Sequence, residues 1–177
     1  MMYPTAKRSN RYKARPARCR TGFSILILLL AAALAGNAQG KKLPPFQMVQ
    51  ANGQLFKAQQ LPMGKPILLV YFSPGCDHCE KLVRQMRQHQ APLARLSVVL
   101  ITYWPVKEVA AFVKQFSLQQ YPNFYTGTEG NTFFVRNYYH LEQLPFMALF
   151  TKNGDLVKQY HSEHGWNDLL QQIKNLK

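Results

Sequence analysis

An α/β fold, a central mixed sheet flanked by helices, is the class this sequence predicts, on three observations. A continuous apolar run, "PILLVYFS" at 66–73, leads into an amphipathic segment; a second run, "SVVLITYW" at 97–104, leads into another; and two late apolar runs are joined by an Asn-Gly turn. Continuous apolar runs suit strands buried on both faces, and apolar residues at three-to-four spacing suit helices lying on a sheet. With 177 residues and 47% hydrophobic content the chain can bury one core and hardly more.

The elements follow in order. Residues 1–40 are set apart: seven Lys and Arg and no acid precede residue 21, and the apolar block "FSILILLLAAALA" then runs into "GNAQG". A charged start, an apolar middle and a small-residue finish make a secretory signal, with cleavage after Ala38 or Gly40. An uncleaved anchor is the alternative, but Phe23 to Ala35 falls short of the roughly 20 residues that span a bilayer. Either way the positive-inside rule places residues 41–177, the predicted folded domain, outside. The expected location is the bacterial periplasm, with membrane contact only through an uncleaved signal.

Within 41–177, "FQMVQANGQLFKA" (46–58) predicts a hairpin on its own Asn-Gly turn. The run at 66–73 predicts a buried strand, and "CEKLVRQMRQHQ" a helix with Leu82, Val83 and Met86 on its inner face. The run at 97–104 predicts a second strand, and "PVKEVAAFVKQF" (105–116) a helix opened by Pro105, with Val109, Phe112, Val113 and Phe116 inward. After a polar and aromatic connection, "FMALFTKNGDLVKQY" predicts a hairpin and "GWNDLLQQIKNLK" a closing helix. Met63, Trp104 and Trp166 read as packing residues.

The formal charge of +14 suggests nucleic acid, but much of it sits in the N-terminal arm; residues 41–177 hold 15 basic and 8 acidic groups, a net +7. No nucleic-acid partner is expected.

The chemistry-bearing stretch is "YFSPGCDHCE", 71–80. Cys19 precedes the apolar block and leaves with the signal, so an exported chain keeps two thiols, Cys76 and Cys79. A pair this close encloses almost no loop and adds little as a staple. Strand, "SPG" turn and helix put Cys76 at a helix N-terminus and Cys79 one turn inside, on one face. The unpaired N–H groups and dipole of that terminus favour a Cys76 thiolate; an imidazolium at His78 adds to this, and Asp77 opposes it. Cys76 is the expected nucleophile and Cys79 the resolving thiol, a pair spaced to open and close.

With a CxxC between strand and helix, and Pro145 ahead of the last hairpin, residues 44–177 resemble the thioredoxin fold. The extra N-terminal hairpin and the signal narrow the resemblance to exported thioredoxin-like proteins of the TlpA/redoxin type. Alone, Pro145 reads as an ordinary trans residue at a strand start. The resemblance implies that the Leu144–Pro145 bond is cis and faces the cysteines, so that the Leu144 backbone can pair with an extended substrate segment. It also implies a thiol–disulfide oxidoreductase that uses the Cys76–Cys79 disulfide and no diffusible cofactor, with protein thiols or disulfides as substrates and an upstream redox partner.

Two departures stand out. The family often carries Trp before the turn and a buried acid six residues before the first cysteine; here these regions read "YFSPG" and Val70. Glu80 and His78 are then the candidate proton acceptors for Cys79, although both also read as solvated or capping residues. Three other functions fit parts of the pattern. Cys76 and Cys79 with His161 and His164 have the composition of a zinc or copper site. Ser73, three residues before Cys76, resembles a peroxiredoxin loop, although Leu69 stands where that family has proline. Tyr121, Phe124, Tyr125, Phe133, Phe134, Tyr138 and Tyr139 could form a partner surface on a non-catalytic module.

Overall fold

The computed structural model describes residues 41–176, so the signal reading and Cys19 lie outside the described residues. Seven strands form one sheet. In chain order the elements are β1 (Gln47–Gln50), β2 (Leu55–Lys57), β3 (Ile67–Tyr71), α1 (Asp77–Gln88), α2 (Gln90–Leu93), β4 (Ser97–Thr102), α3 (Val106–Gln115), β5 (Phe124–Thr128), α4 (Phe134–Tyr139), β6 (Phe146–Phe150), β7 (Leu156–Tyr160) and α5 (Trp166–Asn175). Across the sheet the strands lie in the order β2-β1-β5-β4-β3-β6-β7.

The strands β3, β4 and β5 are parallel, and β6, β7, β1 and β2 complete the sheet in antiparallel pairs. Every residue of β3, β4 and β6 is buried, which is why these segments are unbroken apolar runs. Alternate side chains separate two cores. Leu68 and Val70 face α1, α3 and α5, where Leu82, Val83, Met86, Phe112, Phe116, Leu169 and Ile173 meet them. Leu69 and Tyr71 face the other way, toward Phe46, Met48 and Phe56 of the N-terminal segment and Val135 and Tyr139 of α4.

The hairpin of β1 and β2 turns at Asn52-Gly53, where Gly53 takes φ +82°. It is part of the main sheet, since Val49 and Gln50 pair with Thr128 and Gly127 of β5. The connection read as polar and aromatic contains β5 itself, inserted between β4 and β1. Gly127 interrupts its apolar signal for a packing reason: a Cβ there would stand 2.8 Å from the Val49 carbonyl oxygen and 2.9 Å from the Met48 side chain. The short helix α4 was hidden in the same way. It is capped by buried Glu129, whose Oε2 accepts from the Val135 N–H at 2.7 Å while Oε1 accepts from the Tyr71 hydroxyl at 2.6 Å.

Of the three residues read as packing, only Trp166 is buried; Met63 lies in a turn at 96% exposure and Trp104 follows the end of β4 at 37%. Strand β4 stops at Thr102, two residues short of the apolar run, and the Tyr103 and Trp104 rings lie tilted against one another beyond its end.

Candidate active site

The register of the sheet decides what lies at the C-terminal end of β3. That strand leads through Phe72 and the "SPG" turn, with Gly75 at φ +75°, into α1. Tyr71 pairs with Phe146, the first residue of β6, so Leu144 and Pro145 arrive at the same end of the sheet. Tyr160, the last residue of β7, lies opposite Met147, so the turn after β7 arrives there as well. Residues far apart in sequence are thereby gathered around the cysteines.

Cys76 is the N-cap of α1, with extended backbone (φ −91°, ψ 115°), and its Sγ accepts from the Cys79 N–H at 3.4 Å. The sulfur thus occupies the place of a capping oxygen, against the free N–H groups of the helix terminus. The two thiols are free and unequal: Cys76 is half-buried and Cys79 fully buried. Burial pushes the Cys79 thiol well above its ordinary range, and the hydrogen bond and charge of Cys76, with the charge of Glu163, push the same way; a backbone hydrogen bond from Ser73 opposes them.

The other predicted residues fall as follows. Asp77 is exposed on the first turn of α1. Glu80 makes an i,i+4 ion pair with Arg84 at 3.1 Å. His78 is different. Its Nδ1 stands 2.7 Å from Oε1 of Glu163, in the turn after β7. The Leu144–Pro145 peptide bond is cis, as the resemblance implies, Pro145 is buried, and half-buried Leu144 packs against the same core cluster as Cys76.

Glu163 is the residue that sequence reasoning missed. Its side chain is 3% exposed and is ringed by His78, by Lys81 Nζ at 3.7 Å and by His164 Nε2 at 3.8 Å. Burial pushes its carboxyl up, but the His78 hydrogen bond, its own backbone N–H and the charges of His78 and His164 outweigh this and hold it below the usual carboxylate range. The signal available was an acid flanked by histidines in "HSEH", in a chain with only 8 acids. The partner, 85 residues away, was not legible.

The same turn bears on the metal reading. His161 is tilted against the Phe146 ring, 5.3 Å between centroids, and His164 faces Glu163. Among the described residues no three His, Cys, Asp or Glu side chains are grouped as a metal ion would need. The Ser73 hydroxyl donates to the Pro74 carbonyl at 3.3 Å, within its own turn.

No family model matches the chain, and no curated protein matches it significantly in sequence. Solved structures do match in fold. The exposed lipoprotein thioredoxin Etrx1 of Streptococcus pneumoniae superposes with a TM-score of 0.58 at 18% identity, over 75% of this chain and 100% of its own. A secreted Mycobacterium tuberculosis disulfide oxidoreductase homologous to Escherichia coli DsbE gives 0.60 at 19%, over 75% and 96%. The peroxidoxin BcpB of Mycobacterium tuberculosis gives 0.65 at 14%, over 78% and 97%. With its mixed sheet, its CxxC at the head of α1 and its cis-proline before β6, the chain has the thioredoxin fold of these structures, elaborated by an N-terminal β-hairpin.

Proposed function

We propose that this protein is an exported thiol–disulfide oxidoreductase acting on protein substrates. The observation that carries the reading is the inequality of the two thiols: Cys76 half-exposed as the helix cap, Cys79 buried one turn behind it with its N–H on the Cys76 sulfur. The Cys76 thiolate attacks a substrate disulfide, one substrate sulfur leaves as thiolate, and a Cys76–substrate mixed disulfide remains. Cys79 then attacks Cys76 Sγ, the Cys76–Cys79 bond forms, and the second substrate sulfur is released. Two electrons pass from the cysteine pair to the substrate; run backwards, the same steps oxidise a dithiol.

Leu144, packed against the same core cluster as Cys76, stands just before β6, where an extended substrate segment can add its backbone. His78, Asp77 and Glu80 tune the pair from the first turn of α1. Export is supported by the basic arm and apolar block of residues 1–40 and by the exposed or secreted character of two structural neighbours. The peroxidase alternative draws support from the fold of the peroxidoxin neighbour, but the Ser73 hydroxyl is engaged with Pro74 and not with Cys76.

The test is trapping. Cys79→Ser is expected to accumulate covalent adducts with exported proteins, because attack proceeds and release does not. Cys76→Ser is expected to trap almost nothing. Absence of adducts in both variants, or peroxide consumption by the reduced protein without a dithiol partner, overturns the reading.

A further inference from the structure

The exchange reaction leaves the proton of Cys79 without an acceptor. Val70 occupies the strand position where a carboxylate could wait, Glu80 is ion-paired with Arg84, and Asp77 is exposed. The other buried acid, Glu129, is committed to Tyr71 and to the N-terminus of α4. Glu163 is buried at the site and bonded to the residue that precedes Cys79. Burying a carboxylate is costly unless it is paired, and here the partner is a side chain that remains 65% exposed.

The direction of that hydrogen bond has a chemical consequence. Glu163 is ionised through the neutral range and can only accept, so the hydrogen resides on His78 Nδ1. In the neutral ring the lone pair is then on Nε2, free to take a proton while the carboxylate holds the ring in place. The turn after β7 brings the orienting carboxylate to the imidazole, and His78 directly precedes Cys79 along α1.

We infer that Glu163 is a positioning residue that fixes the tautomer and orientation of His78, making His78 the acid–base group of the resolving step. The inference rests on the exchange reading above. In that step the Cys79 S–H bond breaks and its proton passes to His78 Nε2; the sulfur electron pair forms the bond to Cys76 Sγ. The Cys76–substrate S–S bond breaks, its electron pair leaves on the substrate sulfur, and the imidazolium returns the proton to that sulfur. Atoms and charge balance without an external oxidant or base. The other titratable groups facing Glu163 are Lys81 and His164, both at longer range, and Cys79.

The test follows the two releases of nitrothiobenzoate when the reduced full-length protein, with Cys19 replaced by serine throughout, meets an excess of the aromatic disulfide dithiobis(nitrobenzoate). The first release reports attack by Cys76, the second resolution by Cys79. His78→Ala and Glu163→Ala are each expected to slow the second release by at least about tenfold near neutral pH, a larger loss than either causes in the first. Glu163→Gln, whose amide oxygen still accepts from Nδ1, is expected to fall between wild type and Glu163→Ala. The double variant is expected to be no slower than His78→Ala, because Glu163 acts through His78.

A second release that is unchanged or faster in the Glu163 variants overturns the inference, since loss of the carboxylate charge alone would ease ionisation of Cys79. Losses that multiply in the double variant also overturn it. If Glu163→Ala fails to fold, Glu163→Gln alone and combined with His78→Ala decide by the same criteria. A wild-type protein that shows no second release removes the exchange reading itself, an outcome distinct from these.

Discussion

At the scale of single residues, the proposed exchange rests on the contrast between Cys76 and Cys79, and that contrast is measurable. Since the thiolate is the reactive form, a cap sulfur open to solvent and a buried thiol pushed upward are expected to alkylate at different rates. Iodoacetamide is expected to label Cys76 at least about tenfold faster than Cys79 at neutral pH, read by mass spectrometry of the modified peptides. Glu163 supplies a second measurement. Burial alone raises its carboxyl, and the His78 bond brings it down; removing the imidazole leaves burial less opposed. In His78→Ala the Glu163 side-chain carbon is therefore expected to titrate at higher pH than in the wild type, followed by NMR of the carboxyl resonance. An unchanged midpoint would count against the 2.7 Å pairing.

At the scale of elements, periodicity told what each segment is when its burial is regular. Helix α1 buries Cys79, Leu82, Val83 and Met86 at three-to-four spacing, and β3, β4 and β6 are buried throughout and mostly apolar. Strand β5 escaped because its run, "FYTGT", is short, polar and broken by the glycine that lets β1 approach. Gly127→Ala places a methyl group against the Val49 carbonyl and Met48, so it is expected to destabilise the protein by about 1–3 kcal/mol, measured by urea unfolding. Gly165, in the turn that carries Glu163, is close-packed in the same sense: a Cβ there would run into the Tyr160 ring. Helix α4 escaped because a single turn and a half offers too few residues for a period to show.

At the scale of the whole molecule, one sheet separates the two cores, and the site lies where β3 ends and β6 begins. Stability and the site share Glu163. A carboxyl whose folded value lies below its unfolded value of about 4.5 contributes stability above that pH, and the contribution is lost as pH falls through the folded value. Unfolding midpoints in urea are therefore expected to fall as pH drops below about 4.5, and Glu163→Gln is expected to flatten part of that fall. An identical acid limb in the variant would show that the pairing contributes nothing to the folded state.

The sequence by itself determined the βαβα order, both Asn-Gly hairpins, the inequality of the cysteines and the proline that begins the last hairpin. Each depends on burial patterns or backbone chemistry within about a dozen residues, where neighbours along the chain are neighbours in space. Only the tertiary structure decided that β5 enters the sheet beside β1, that Leu144 comes to the edge of the Cys76 cluster, and that Glu163 meets His78 across 85 residues. Those juxtapositions are set by sheet register, Tyr71 against Phe146 and Met147 against Tyr160, and a register belongs to two strands at once. A buried acid can be placed at the site by any element that ends there, so its position along the chain carries no local mark.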